Sequence, residues 1–199
     1  MKNSLILATP ERSREGAELA LLAGEKLIPA IFGPNALAFW EKAFRHRKCG
    51  FSYEHSWFLD IDGKPLAIAV GYDYQTQKKE GLRTFLIILK CLKWKFIKQR
   101  KELQQSGEIM AKTRPGDYYV SNLAVYPEYR GQGYGTMIMD SVENMAREAG
   151  LLRIVLDAEV VKERALQFYK RRGYEIEETL PILMTKEGDF GLYRMVKVL

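Results

Sequence analysis

The sequence predicts a mixed α/β domain in which helices flank one central sheet. Segments rich in β-branched and aromatic residues alternate along the chain with segments whose apolar residues recur at helical spacing. Asp62-Gly63 separates two β-rich runs, which is the strongest short signal for a β-hairpin. A strand, a Gly-rich loop and an amphipathic helix follow one another between residues 117 and 150. The length of 199 residues suits one domain, which we expect to span 1–199.

Local signals set the predicted boundaries of these elements. The first helix is expected to begin at Thr9-Pro10, because a hydroxyl cap followed by proline is typical of a helix start. Gly150 and Gly173 are typical helix ends. The predicted elements in order are a strand at 5–8, helices at 9–24 and 35–47, strands at 56–60 and 66–72, a helix at 81–104, a strand at 119–125, a helix up to 150, a strand at 153–158, a helix at 162–172, and strands at 175–180 and 192–198.

The Gly-rich loop at 130–135 is the most informative segment of the chain. Glycine reaches positive φ without a Cβ clash, so successive backbone N–H groups of such a loop converge on one point. The helix begins directly after the loop and turns its positive dipole end toward the same point. The segment therefore predicts an anion site, most often one for phosphate, although an ordinary β–turn–α unit shares the pattern. The sequence lacks the GxxxxGK[ST] motif of a Walker loop, and the order RxxGxG rather than GxGxxG argues against a dinucleotide-binding turn.

Two motifs and the N-terminal segment point to one enzyme family. LAVYPEYRGQGYG at 123–135 contains the pattern [RQ]xxGx[GA], and the stretch 165–174 contains AxxxYxxxG[FY]. Together with 5–22, these segments resemble the cofactor loop, a helix end and the first strand and helix of the GNAT superfamily of N-acetyltransferases. The resemblance implies a mixed, mostly antiparallel central sheet flanked by helices. The segment at about 78–113 has no counterpart in the family, and we expect it to form a helical insert between the third and fourth strands.

The resemblance also implies an activity and a cofactor site. It implies transfer of the acetyl group of acetyl-CoA to a primary amine of a small molecule or peptide. The strand before the loop is implied to pair with the pantetheine amides, and the loop is implied to bind the pyrophosphate. Lys162 stands where the family often has Asn, and it could reach a CoA phosphate instead. The residues implied to bind the cofactor are Leu123, Ala124, Val125, Arg130, Gly131, Gln132, Gly133, Tyr134, Gly135, Thr136, Lys162 and Tyr169.

Catalytic roles are implied for four residues. Tyr169 stands where the family commonly places the acid that protonates the leaving thiolate, with an aromatic side chain packed beside Phe168 as the alternative. A neutral tyrosine, with a reference pKa of about 10, can donate a proton to a nascent thiolate. The backbone N–H of Leu123 is implied to stabilise the oxyanion. The general base stays open between Asp117, Glu159 and a water relay. Because the usual Asn is missing and the base is unassigned, a non-catalytic acyl-CoA-binding module is the alternative function.

Composition limits the remaining classes of site and location. No apolar run approaches the ~20 residues of a membrane span, so we expect no membrane partner. With no export signal, Cys49 and Cys91 are expected to be reduced thiols in the cytoplasm. Neither cysteine has His or Cys at metal spacing, so we expect no metal site. Neither lies in a recognisable nucleophile setting, which favours direct transfer in a ternary complex.

Basic residues concentrate in the predicted insert of a chain whose net charge is +6. They are Lys78, Lys79, Arg83, Lys90, Lys93, Lys95, Lys98, Arg100 and Lys101. Three interpretations are open, in order of preference. The first is a solvated helix face, the second is attraction of the polyanionic cofactor or an acidic partner, and the third is binding of nucleic acid or an anionic membrane. We expect the insert to form a lid or wall of the acceptor site, with a homodimer partner as an open alternative.

Overall fold

One seven-stranded sheet organises residues 3–199, the part of the chain that the computed structural model describes. The strands are β1 (Asn3–Leu7), β2 (Ser56–Ile61), β3 (Lys64–Asp73), β4 (Asp117–Val125), β5 (Arg153–Glu159), β6 (Glu175–Thr179), β7 (Leu183–Thr185), β8 (Gly188–Phe190) and β9 (Leu192–Val198). Their order across the sheet is β1-β2-β3-β4-β5-β9-β6, while β7 and β8 form a separate hairpin. Neighbours in the sheet are antiparallel except β4 and β5, which are parallel. The predicted mixed, mostly antiparallel sheet is confirmed; residues 1 and 2 of the predicted domain lie outside the described part.

Helices cover both faces of this sheet. They are α1 (Ser13–Ala23), α2 (Leu27–Phe32), α3 (Ala36–Phe44), α4 (Tyr74–Leu92), α5 (Lys95–Ile109), α6 (Tyr134–Glu148) and α7 (Glu163–Arg171). On one face, α6 and α7 pack through buried residues that include Ile138, Met139 and Leu166. On the other face, Leu19 of α1 and Phe44 of α3 pack against the strands. The short helix α2 and the β7–β8 hairpin are elements that the sequence analysis did not predict.

The insert between β3 and β4 is helical as predicted, but it contains two helices rather than the single one expected at 81–104. The first helix begins earlier because the Asp73 carboxylate accepts a backbone N–H of the first turn at 2.6 Å. It ends at Leu92, because the next residue, Lys93, has a φ of 52° in the left-handed region. Phe85 of α4 and Phe96 of α5 contact each other across the break, with ring centroids 6.0 Å apart. The apolar residues of α4 and α5 therefore remain in contact across the break. For this reason the helical spacing of apolar residues predicts one helix, although the backbone forms two.

A buried ion pair fastens the end of the insert to the sheet. Nε of Arg194 on β9 lies 3.0 Å from Oδ1 of Asp157 on β5. The same carboxylate accepts the backbone N–H of Ala111, directly after α5, at 2.9 Å. The Arg194 guanidinium also donates to the Ile109 carbonyl at 3.4 Å. The C-terminal end of the insert is thus held against β5 and β9.

A β-bulge in β4 sets which side chains face the site. The pairing with β3 shifts by one residue, which leaves Ser121 without a partner. A Cβ at Gly71, on the facing strand, would lie 2.6 Å from the ring of Tyr118, so this position requires glycine. Because of the extra residue, Val120 and Leu123 lie on the same face of the sheet, toward α6 and α7.

Candidate active site

β4 and β5 separate part-way along their length and leave a cleft between them. Their parallel pairing runs from Asp117 opposite Arg153 to Val120 opposite Leu156, and it goes no further in the described part of the chain. Beyond Val120 the edge of β4 that faces β5 has no strand partner. A cavity of about 420 Å³ opens at this separation. This volume is in the range of small-molecule sites, ~300–1,000 Å³.

The cavity has an apolar wall and a polar wall. α2, the loop before β2 and both helices of the insert supply the apolar wall, whose members include Leu27, Ile28, Ile31, Phe51, Ile88 and Leu103. β3, β4, β5, the residue before α7 and α7 itself supply the polar groups Tyr72, Ser121, Asp157, Glu159, Lys162 and Tyr169. Titratable groups at one end of an apolar pocket are the usual composition of an active site.

The Gly-rich loop lies at the N-terminus of α6 with its backbone donors free. Gly131 and Gly133 have φ values of 79° and 86°, in the left-handed region that favours glycine. Within residues 3–199, no backbone N–H from 131 to 136 donates to an acceptor. A Cβ at Gly131 or Gly133 would meet open space, so these glycines are needed for the backbone conformation rather than for room. Free N–H groups at a helix N-terminus can bind an anion.

The side chains of Arg130 and Gln132 hold this loop in place. Nε of Arg130 donates to the Val125 carbonyl at 3.1 Å, and Nε2 of Gln132 donates to the Glu128 carbonyl at 3.2 Å. The Arg130 guanidinium also lies 3.7 Å from the Glu25 carboxylate. Arg130 therefore fixes the loop to Val125, the last residue of β4. This structural role is separate from any attraction between its charge and an anionic ligand.

The last three residues of β4 divide between its two faces. Leu123 lines the cavity, and its side chain packs against the core that α6 and α7 cover. That of Ala124 packs into the opposite core, with α1 and α3. Val125 faces Gly135 at the start of α6, where an added Cβ would be 3.8 Å from its side chain. Any contact that these residues make jointly with one ligand must therefore use their backbone.

Tyr169 lies where the apolar and polar walls of the cavity meet. It is buried on α7 and packs edge-on against Phe168 and Tyr174, with ring centroids 5.3 and 5.6 Å away. Its hydroxyl has no hydrogen-bond partner among residues 3–199. Burial raises the pKa of Tyr169 above the ordinary tyrosine value, so the phenol stays protonated at neutral pH. Tyr169 rather than the adjacent Phe168 therefore lines the cavity, and only Tyr169 has a hydroxyl proton to donate.

Glu159 and Lys162 form an ion pair at the edge of the cavity. Nζ of Lys162 lies 2.9 Å from Oε1 of Glu159, although the angle is not that of a hydrogen bond. The ammonium donates instead to the Ala23 carbonyl at the end of α1, at 2.8 Å. Lys162, predicted to reach a CoA phosphate, is thus directed to α1 and Glu159. The Glu159 carboxylate is buried, and Oε1 has no hydrogen-bond donor in the described part of the chain.

Asp117 lies at the opposite end of β4 and does not line the cavity. Its carboxylate forms a two-point ion pair with Arg153, with oxygen–nitrogen distances of 2.8 and 3.1 Å. It also accepts the backbone N–H of Arg114. The structure therefore brings Glu159 but not Asp117 together with Tyr169. Asp157 reaches the cavity too, but its oxygens are occupied by Arg194, Tyr119 and a backbone N–H.

A comparison with known families agrees with this geometry. A model of the acetyltransferase (GNAT) family matches residues 26–174. The chain belongs to the GNAT family. The match includes both motifs that carry the resemblance, the cofactor loop at 130–135 and the helix end that contains Tyr169. The family prediction made from these motifs is confirmed.

Individual relatives resemble parts of this GNAT chain. N-alpha-acetyltransferase 30 of Schizosaccharomyces pombe is 39% identical over 56 residues, which are 28% of this chain and 37% of that protein. The matched segment thus spans little more than a third of the relative's length. An N-acetyltransferase from Staphylococcus aureus Mu50 has a TM-score of 0.69 at 17% identity, over 96% of this chain and 99% of that one. The PaiA N-acetyltransferase from Thermoplasma acidophilum, solved in complex with coenzyme A, has a TM-score of 0.57 at 13% identity, over the full length of both chains. At these identities the structural likeness shows a shared fold.

Among residues 3–199, none of the helices combines the length and the apolar character that crossing a membrane requires. In the same residues, no group of three or more His, Cys, Asp and Glu side chains is placed to hold a metal ion.

Tyr72 is a cavity residue that the sequence analysis did not single out. It stands near the end of β3, and its hydroxyl has no hydrogen-bond partner among the described residues. Burial raises the pKa of Tyr72 above its ordinary value, so it too is a neutral donor. Its ring packs against His55 and Tyr119. The sequence around Tyr72 does not distinguish a cavity residue from a buried core aromatic. The residues that surround it in the fold belong to the insert and to the loop before β2.

Proposed function

We propose that this GNAT chain transfers the acetyl group of acetyl-CoA to a primary amine by direct transfer in a ternary complex. One observation carries the proposal: the free N–H groups of 131–136 lie at one end of the unpaired edge of β4, and the cavity with Tyr169 lies along that edge. The loop would bind the pyrophosphate. The backbone of Leu123, Ala124 and Val125 would pair with the pantetheine amides as an added strand would. Acetyl-CoA supplies an activated thioester whose acetyl group an amine can accept.

Tyr169 is the proposed acid. As the new N–C bond forms and the C–S bond breaks, its hydroxyl gives a proton to the departing sulfur. Its raised pKa keeps the phenol protonated until that moment. The backbone N–H of Leu123 is proposed to stabilise the negative charge on the acetyl oxygen.

Glu159 is the proposed acceptor of the amine proton, directly or through one water. Its carboxylate lies at the polar wall of the cavity beside Lys162, which holds it in position. An alkyl amine with a pKa near 10.4 arrives mostly charged, so a carboxylate next to the acetyl group both attracts the ammonium and receives its proton. Asp117 is left out of the proposal because Arg153 occupies it away from the cavity.

Direct transfer is favoured because neither thiol is placed as a nucleophile. Burial raises the pKa of Cys49 to about 11, and it also raises that of Cys91. A thiol that stays protonated is a poor nucleophile. Neither cysteine lines the cavity. Both are free thiols, which supports a cytoplasmic location for the protein.

The apolar wall of the cavity favours an acceptor amine that carries an apolar group. Leu27, Ile28 and Ile88 line the same cavity as Tyr169, and both helices of the insert contribute to its wall. A polyamine would place a second charge against this wall at a desolvation cost. An α-amine of a peptide with an apolar first residue fits as well as a small apolar amine. The matching segment of a relative named as an N-alpha-acetyltransferase supports the peptide.

Calorimetric titration with acetyl-CoA, followed by an amine panel with thiol release as readout, tests the proposal. We expect saturable acetyl-CoA binding, and faster thiol release with phenylethylamine or a peptide with an apolar first residue than with spermidine. Binding without turnover across the panel would support the alternative, a non-catalytic acyl-CoA-binding module. No binding and no thermal stabilisation by acetyl-CoA would overturn both.

A further inference from the structure

The outward side of the insert exposes large apolar side chains. We call residues 78–101 of α4 and α5 the insert surface. Its exposed apolar members are Leu82, Phe85, Leu86, Trp94 and Ile97. Trp94 is 80% exposed and Leu82 is 73% exposed. Apolar side chains exposed together in this way mark an interaction site.

These side chains form one surface rather than isolated points. Leu82, Phe85 and Leu86 are at i, i+3 and i+4 on α4, so they share one helix face. Trp94 and Ile97 are three residues apart across the start of α5. The ring contact between Phe85 and the half-buried Phe96 holds the two helices together beside the turn.

The same surface carries cations that nothing in the described chain neutralises. They are Lys78, Lys79, Arg83, Lys90, Lys93, Lys95, Lys98, Arg100 and Lys101. None of the nine forms an ion pair with a carboxylate of residues 3–199. The only acid between residues 78 and 101 is Glu80, whose Oε2 lies 2.7 Å from Nε2 of His55. The insert surface is therefore apolar and strongly positive at once.

We propose that the insert surface docks on the surface of an anionic lipid bilayer. A helix with Lys and Arg on its polar side and Trp, Phe or Leu beside them lies in the membrane interface. The cations would meet anionic headgroups, while Leu82, Phe85 and Trp94 enter the boundary of the acyl chains. The expectation of no membrane partner rested on the lack of a spanning segment, which does not bear on contact with a membrane surface. The proposal is independent of the acetyl-transfer activity.

Charge disfavours a second copy of this chain on the insert surface. A symmetric contact would place nine unpaired cations against nine others. The exposed acidic strand β6 is a poor alternative, because Glu177 lies 2.8 Å from Arg153 and Glu178 lies 3.7 Å from Arg194. Nucleic acid would use the cations and leave the five apolar side chains in water.

Sedimentation with lipid vesicles tests the proposal on the full-length protein. We expect the protein to sediment with vesicles of phosphatidylcholine mixed with phosphatidylglycerol, and to stay in solution with pure phosphatidylcholine. Binding should weaken as the salt concentration rises, because the attraction is screened.

Two variants and a matched control separate the contribution of the apolar side chains to vesicle binding from that of the cations. Replacing Leu82, Phe85 and Trp94 together by Ser removes apolar surface and leaves every cation, and we expect at least a tenfold loss of vesicle binding. Charge reversal in Lys93→Glu with Lys98→Glu should lower binding at least about tenfold. Ile182→Ser with Met184→Ser is the control, since these side chains are 59% and 64% exposed outside the insert and should not affect binding. Thermal unfolding of each variant checks that the fold is kept.

Several outcomes would overturn the proposal. One is equal sedimentation with neutral and anionic vesicles, or none with either. Another is tight binding of duplex DNA that the triple Ser variant retains, which assigns the surface to nucleic acid. A wild-type dimer in solution that the triple Ser variant converts to a monomer would assign it to a second copy.

Discussion

At the scale of single residues, the turn of α7 separates the roles of two neighbouring aromatics. Phe168 faces Gly135 at the start of α6, and its ring lies under the Arg172 guanidinium. Tyr169 lines the cavity, and its hydroxyl has no hydrogen-bond partner in the described part of the chain. One residue step along a helix rotates the side chain by about 100°, so adjacent residues cannot share a role. Removing the hydroxyl of Tyr169 is therefore the most direct test of the proposed proton donor.

Tyr169→Phe is expected to lower kcat about a hundredfold or more, with little change in acetyl-CoA affinity. The variant removes the proposed proton donor but keeps the packing of the ring. Tyr118→Phe is the matched control: Tyr118 is a half-buried tyrosine whose hydroxyl likewise has no hydrogen-bond partner among residues 3–199, but it does not line the cavity. Steady-state kinetics and calorimetry with acetyl-CoA measure the two quantities. Equal kcat values for the two variants would contradict the assigned role.

Alkaline pH is expected to destabilise the fold through the buried tyrosines. Burial raises the pKa of Tyr118, Tyr119 and Tyr169 above the ordinary value of about 10. A group whose pKa is raised in the folded state contributes stability that is fully present below its unfolded pKa and is lost as the pH rises above it. The thermal midpoint should therefore fall above about pH 10. The fall should be smaller in Tyr118→Phe with Tyr169→Phe, and an identical pH profile for wild type and double variant would disprove this account.

At the scale of elements, two backbone irregularities shape the cofactor side of the site. The bulge at Ser121 puts Leu123 on the same face of the sheet as Val120, at the cavity. The glycines at 131 and 133 hold the loop in a conformation in which the N–H groups of 131–136 donate to no acceptor among residues 3–199. Both features sit where β4 has lost its partner β5. A ligand can therefore pair along the strand and bind the loop at once.

Gly131→Ala and Gly133→Ala are each expected to weaken acetyl-CoA binding about tenfold, or ~1.4 kcal/mol. A non-glycine residue in the left-handed region costs about 1–2 kcal/mol, so the loop relaxes and its N–H groups diverge. Gly63→Ala is the control, because Gly63 has a φ of 84° and open space at its Cβ but lies in the β2–β3 turn. It should cost similar stability and leave acetyl-CoA affinity unchanged, as calorimetry would show. If Gly63→Ala also lost acetyl-CoA affinity, the weaker binding would come from general destabilisation of the fold rather than from the loop at 130–135.

At the scale of the whole molecule, the insert depends on contacts with distant parts of the chain. The Asp157–Arg194 pair holds the end of α5, and Nε2 of Gln77 on α4 donates to the Ala111 carbonyl at 2.6 Å. The core beneath the insert joins Ile87 and Leu92 to Phe39 and Trp40 of α3. The apolar wall of the cavity is thus part of the folded core, so the insert is a fixed wall in this structure.

Arg194→Met is expected to destabilise the protein by ~3–5 kcal/mol, because it leaves the buried Asp157 carboxylate unpaired. Adding Asp157→Leu should recover part of the loss, since the unpaired charge is then gone. Urea unfolding gives both values. If the single variant lost less than about 1 kcal/mol, the range of exposed ion pairs, the pair would not anchor the insert.

Features that depend on neighbouring residues can be predicted without the fold. The Gly-rich loop with its helix, the Asp-Gly hairpin and the placement of Tyr169 on a helix end are encoded by local backbone preferences and motif spacing. Which groups meet in the site depends instead on contacts between distant segments. Asp117 and Glu159 were equal candidates in the sequence, and only Arg153, on the next strand, removes Asp117 from consideration. The break between α4 and α5 and the cavity position of Tyr72 likewise depend on residues far away in the chain. The environment of a side chain is set by all the elements that surround it, whereas its backbone conformation is set largely by its neighbours in sequence.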